Sequence, residues 1–124
     1  MSRLTLSPSG GRGATLFLSP PGPEIVDPAR FGMPPVPPAP AFDARFETEN
    51  AVEYVGMSSD PIGIRVTGGE GGFVVRYDGR PADEGLFAIE LSDGRGVPVL
   101  HPLTDGTKLT VPPGYGLRVV PSIA

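Results

Sequence analysis

The placement of proline constrains this chain more than any other feature. Ten of its 17 prolines fall within the first 41 residues, and each one fixes φ and removes a backbone donor. The stretch from Pro20 to Pro40, PPGPEIVDPARFGMPPVPPAP, is thereby barred from regular helix and from the interior of a sheet. Pro34-Pro35-Val36-Pro37-Pro38-Ala39-Pro40 is expected to run as polyproline II, rising about 3.1 Å per residue and spanning roughly 20 Å as a semi-rigid spacer. Asp27-Pro28-Ala29-Arg30-Phe31-Gly32 is a local exception. Asp27 can cap, Pro28 suits the first helical position and Gly32 can end the turn, so one helical turn at most is expected there.

A chain of 124 residues has room for one domain and an extension. Its hydrophobic fraction of 39% argues against disorder throughout, while 18 glycines and 17 prolines argue against helix. A small, turn-rich β domain satisfies both. There are no cysteines, which excludes disulfides, thiolate chemistry and Cys-ligated zinc. Residues 42–124 hold 12 acids and 7 bases, a balance that disfavours a nucleic-acid surface, where affinity rests on neutralising phosphates. No stretch approaches the roughly 20 apolar residues of a membrane span. The N-terminal Met1-Ser2-Arg3-Leu4-Thr5-Leu6-Ser7 meets Pro8 before the apolar core of a signal peptide could form, so synthesis in the cytoplasm is expected, with export only as part of an assembly.

Alternation with period 2 marks the strands. Leu4 and Leu6, then Ala14, Leu16 and Leu18, flank a turn cluster and predict a β-hairpin over residues 1–19. An isolated hairpin is at best marginally stable in water, so this one must fold back on the main domain or pair with another chain. After the connector of residues 20–41, a main domain is expected over 42–124. Phe42, Ala44 and Phe46 face one way and Asp43, Arg45 and Glu47 the other; the stretch Phe42–Val55, free of Gly and Pro, leaves a helix open, but two strands meeting near Glu49-Asn50 are preferred, the second over Val52–Val55. Ile62–Val66 and Phe73–Tyr77, joined by Gly68-Gly69-Glu70-Gly71-Gly72, predict a hairpin. Strands at Phe87–Leu91, Val97–His101, Lys108–Val111 and Leu117–Ile123 follow, with Pro98 marking an edge strand. About eight short strands with regular turn signals predict an all-β fold, an antiparallel β-sandwich of Ig-like or jelly-roll type bearing an extended Pro-rich N-terminal arm.

Chemistry-bearing motifs are sparse. His101 is the only histidine and reads as a strand-end residue. Asp60, Asp78, Asp83, Glu84, Asp93 and Asp105 sit at predicted turns, where aspartate is favoured for its backbone bonding, and none has calcium-loop spacing. The Gly68–Gly72 loop joins strand to strand, without the helix N-terminus that a phosphate site needs. With one His and no Cys, no nucleophile–base pair or metal cluster can be assembled, so neither catalysis nor a cofactor is expected. Thr110-Val111-Pro112-Pro113-Gly114-Tyr115-Gly116-Leu117-Arg118-Val119-Val120-Pro121 is similar to the Pro-Pro-Gly-Tyr turn and following strand of trimeric dUTPases. That family continues into a Pro-Arg-Ser-Gly phosphate motif, whereas this chain reads Pro121-Ser122-Ile123-Ala124, so the likeness is read as a shared β-turn.

The apolar residues set among the arm's prolines are the remaining signal. Ile25, Val26, Phe31, Met33 and Val36, with Leu16, Phe17 and Leu18 of the hairpin, are candidate partner-binding residues, because a free linker has no use for exposed apolar side chains. In general architecture, an arm over Met1–Ala41 before a compact β region, the chain resembles capsid decoration (cement) proteins of tailed bacteriophages. That resemblance implies a structural virion protein, homo-oligomeric with a trimer favoured, docking on a major capsid protein through its arm, with neither nucleic acid nor membrane as partner. On this reading the domain would fold without residues 1–41. The alternative is an Ig-like module of a fibre or adhesin that recognises carbohydrate or protein through loops bearing Tyr54, Tyr77 or Tyr115.

Overall fold

A computed structural model describes residues 1–8, 12–21, 27–38, 41–56 and 60–122. Within them lie ten strands: β1 (Ser2–Pro8), β2 (Ala14–Ser19), β3 (Asp43–Phe46), β4 (Val52–Tyr54), β5 (Ile62–Thr67), β6 (Phe73–Asp78), β7 (Phe87–Ser92), β8 (Val99–Pro102), β9 (Lys108–Val111) and β10 (Gly116–Pro121). They form two five-stranded sheets, ordered β4-β2-β1-β6-β9 and β3-β5-β10-β7-β8. The fold is all-β, a sandwich whose strand pairs are antiparallel except for β2 with β4. The helical turn expected after Asp27 is a 3-10 turn over Pro28–Phe31, and a second covers Pro81–Asp83.

The alternation of the N-terminal hairpin has a clear outcome. Leu4 lies opposite Leu16 and Leu6 opposite Ala14, and Leu4, Leu6, Leu16 and Leu18 are completely buried. They meet Phe46, Val75, Phe87, Ile89 and Val119 in one core between the sheets. The hairpin folds back on its own chain: β1 pairs on its second side with β6, from Arg3 opposite Asp78 to Pro8 opposite Phe73, and β2 pairs with β4. The sandwich is therefore not confined to residues 42–124. Without the hairpin, β6 would retain only β9 as a neighbour, and the inner face of the first sheet would lose four leucines.

Two expected pairings are corrected. Rather than forming a hairpin, β5 and β6 belong to different sheets, β5 between β3 and β10, β6 between β1 and β9. The glycine-rich connection is an arch between layers, with Gly68 and Gly72 at φ 76° and 92°. At Gly68 a Cβ would come within 2.4 Å of the Ala41 carbonyl oxygen. Likewise β3 and β4 do not pair, because the turn at Glu49, with φ 69°, carries the chain from the second sheet to the first. Alternation reports which face of a strand is apolar and is silent on its partner. Only β1–β2 and β7–β8 are successive strands of one sheet; every other connection among these ten strands changes layer.

A fragment of residues 42–124 is expected to lack the dispersed amide NMR spectrum of the full chain, and a peptide of residues 1–19 added in trans to restore it. A folded fragment on its own would contradict the central role of β1.

Candidate interaction surface

The polar clusters show which parts of the molecule are already committed internally. On β3 the side chain of Arg45, on the face away from Ala44 and Phe46, is only 1% exposed. The Pro-rich arm lies over it. Arg45 Nε and Nη2 donate to the two carboxylate oxygens of Asp43 at 2.8 and 3.2 Å, and Nη1 donates to Glu49 Oε2 at 2.9 Å and to the Pro34 carbonyl at 2.7 Å. Arg65 pairs with the other oxygen of Glu49. The bond to Asp43 holds the guanidinium pKa above its ordinary value, more than offsetting the effect of burial. Beside this knot the arm makes two backbone bonds, Met33 N–H to Glu49 O and Ala51 N–H to Phe31 O, both 2.9 Å, around a bridge between Gly32 and Asn50. The described part of the arm is thus fastened to its own domain.

A second cluster forms around Asp83, which sits at a turn as expected, in the 3-10 turn Pro81–Asp83. Asp83 is completely buried. Its carboxylate accepts the Ser2 hydroxyl at 2.6 Å and Arg80 Nε and Nη2 at 3.0 and 2.9 Å. Burial alone would raise its pKa, but the bonds from Arg80 and Ser2, with the charges of Arg80 and the N-terminus, bring it below the ordinary value. The latch joins the first residue of β1 to the turn that leads into β7. Nearby, burial pushes the Tyr77 phenol up. The other turn acids behave as expected of turns: Asp93 accepts the N–H groups of Arg95 and Gly96 at 2.8 and 3.2 Å, and Asp105 accepts that of Gly79 at 3.1 Å.

The candidate partner residues separate into three groups. Leu16 and Leu18 are inside the core, so their apolar surface serves this chain's own sandwich and is not available to a partner. Phe17 and Met33 are half-buried, and Met33 packs against the core; Phe31 and Val36 remain exposed. Ile25 and Val26 lie outside the described residues. Of the three tyrosines, Tyr77 is buried, Tyr54 half-buried and Tyr115 exposed. His101 is half-buried on β8 opposite Ile89, and no group of three or more metal-ligating side chains occurs among the described residues.

The main apolar exposure was not anticipated from sequence. Val97 is 91% exposed, and Val99 and Leu100 are more than half exposed, on and just before edge strand β8. The backbone there is guarded. Leu103 N–H donates to Phe87 O, which continues the β7–β8 register. Because paired residues alternate between bonded and non-bonded in an antiparallel ladder, Val99 and His101 turn their backbones toward β7. Leu100 and Pro102 turn theirs to the free side, where proline supplies no donor. By the same parity, Tyr77 N–H to Thr107 O turns Lys108 and Thr110 to the free side of β9. The signal in the sequence was the run Val97-Pro98-Val99-Leu100, apolar on both faces of a strand marked as an edge.

One further hollow, of about 460 Å³, opens beside Glu47, Glu90, Ser92, Asp93, Gly116 and Arg118. No helix among the described residues is long and apolar enough to cross a membrane. No family model, curated protein or solved structure matches the chain.

Both polar clusters generate tests. Asp83 has a depressed folded pKa, so its contribution is fully present above about pH 4, the ordinary aspartate value, and is lost as the pH falls through the folded value. Asp83→Asn should lower the urea midpoint at neutral pH, and the gap to the unaltered protein should close below about pH 4. Arg45→Ala should cost about 1–2 kcal/mol and speed amide exchange at Met33 and Ala51, read by NMR. Unchanged exchange there would mean that the arm is held by other contacts.

Proposed function

We propose that this protein is a structural, homo-oligomeric component of a virion, decorating and stabilising a phage shell by contact with its major capsid protein. The single observation that carries the reading is the exposure of Val97, Val99 and Leu100 on both faces of an edge strand whose backbone offers a single donor to its free side. Exposed aliphatic side chains in such a cluster are expected of a contact surface. The polar clusters, by contrast, are occupied in holding the arm and the N-terminus.

The position of the patch supports a ring. In the second sheet β8 and β3 are opposite edges, and the arm crosses β3 at Pro34, bringing the exposed Phe31 and Val36 to the far side from β8. Contact between two different surfaces at opposite edges is heterologous, and a heterologous contact that closes gives a cyclic oligomer. A trimer is the form proposed. The arm then acts from a pinned position, presenting Phe31 and Val36 while its backbone stays bonded to its own domain. The repeated change of layer between successive strands favours the jelly-roll type over the Ig-like, in which about half of the connections remain within a sheet.

Particles banded from a culture producing the chain should carry it in a fixed ratio to the shell protein. Light scattering should give a trimer mass for the free protein. The double variant Val97→Ser, Leu100→Ser should keep the fold, fall to monomer mass and be missing from the banded particles. Recovery of the variant on particles at the original ratio would remove the β8 patch from the account.

A further inference from the structure

The outward face of the second sheet carries a row of polar groups that the assembly reading does not use. Glu90 on β7, Arg118 on β10 and Gly63 on β5 are register partners across three adjacent strands, a row about 10 Å long at the usual interstrand spacing. Glu47, just past β3, donates its N–H to Gly63 O at 2.9 Å and lays its side chain over that glycine. A Cβ at Gly63 would fall within 2.3–2.5 Å of the Glu47 carboxylate atoms. Glycine is therefore what allows the carboxylate to lie across the sheet at this point. The hollow above the row, about 460 Å³, falls in the size range of small-ligand sites.

The free valences of the row alternate in kind. Arg118 sends both Nε, at 2.9 Å, and Nη2 to the same oxygen of Glu90. Among the described residues this leaves Arg118 Nη1 and Glu90 Oε2 without a partner, and the Glu47 side chain has none. Ser92 accepts the Gly94 N–H at 3.1 Å, and its hydroxyl proton is free to donate. Unused acceptors thus lie beside unused donors. A sugar hydroxyl both donates and accepts, and neighbouring hydroxyls can bridge a carboxylate and a guanidinium. An anionic ligand fits this hollow poorly, because Glu47, Glu90 and Asp93 line it with a single arginine that is already paired; Arg95 borders only the adjoining hollow. A second hollow of about 300 Å³ shares Asp93 and Gly114 with the first and is bordered by Tyr115, whose exposed ring offers an apolar body with a polar tip to an adjoining sugar ring.

We propose that this hollow is a binding site for a neutral saccharide, with Glu47, Glu90, Ser92 and Arg118 bonding the hydroxyls and Gly63, beneath Glu47, leaving room for that carboxylate. The site borders the β8 patch through Pro98 and through Leu100, the register partner of Glu90, and its test reads saccharide binding and not assembly.

The full chain, labelled for amide NMR, is titrated with glucose, galactose, N-acetylglucosamine and their β-linked disaccharides, and separately with an arginine- and lysine-rich peptide. At least one saccharide should shift the amides of Gly63, Ser92 and Gly94 saturably. Gly63→Ala displaces only the flexible end of Glu47 and should weaken that binding about tenfold or more, the effect of losing a charged hydrogen bond. Glu47→Ala, at an exposed position, should do the same and serves if Gly63→Ala fails to fold. No saturable shift with any saccharide, undiminished binding by the folded variants, or tighter binding of the basic peptide at the same amides would each overturn the proposal.

Discussion

The pairing of β1 with two neighbours at once is the interaction on which the rest of the molecule depends. It places a strand from the start of the chain between β2 and β6, so the first sheet is complete only when sequence positions some seventy residues apart are in register. Four leucines of the hairpin then close the inner face of that sheet, and burial of such side chains is the main favourable term in folding. The Ser2–Asp83–Arg80 latch reinforces the same join at its end, tying the start of β1 to the turn before β7. A buried carboxylate is tolerated there because three donors meet it; without them its desolvation would be unfavourable.

The arm follows from this arrangement. Once the hairpin occupies the centre of the first sheet, the chain must return from β2 in that sheet to β3 at the edge of the other. Prolines suit such a path because it makes few ladder bonds and they reduce the freedom of the unfolded connector. Arg45 turns the return path into a fixed one. Its planar donor fork can serve Asp43, Glu49 and the Pro34 carbonyl together, which a lysine's compact ammonium could not match. Proline is also well suited at the accepting position, since it lacks a donor but keeps its carbonyl.

Much of the strand content was legible in the sequence, and little of the pairing was. Leu4, Leu6, Leu16, Leu18, Phe87 and Ile89 alternate strictly, and all are buried. On β3 the same pattern is incomplete: Asp43 and Arg45 alternate away from the apolar face, and polar alternation cannot show that a distant segment covers them. Gly68–Gly72 misled differently, since a glycine-rich loop between two alternating strands has the composition of a hairpin turn and of an arch alike. What decides is whether better partners exist elsewhere, and for β6 the better partner is β1, which a local window does not contain. The hollow beside Glu47, Glu90 and Arg118 was illegible for the same reason. Its row of Glu90, Arg118 and Gly63 comes from three separate parts of the chain and exists only through strand register.

The edges of the sandwich show how a small β-protein can present apolar groups without inviting uncontrolled strand addition. The chain entering β4 is bridged by the arm at Gly32, and β3 has Arg45 held beneath Pro34. On β9 the open backbone is accompanied by Lys108, a charge that a neighbouring strand would have to desolvate or pair. On β8 the device is proline, which leaves Leu100 as the one donor of the strand directed to the free side. Such an edge can take part in side-chain packing while refusing an extended ladder. That combination suits a surface meant for one geometrically defined neighbour, because side-chain contacts depend on shape whereas backbone pairing accepts almost any extended segment. On the proposed assembly, Val97, Val99 and Leu100 beside a donor-poor backbone would make their contact through side-chain shape and not through strand addition.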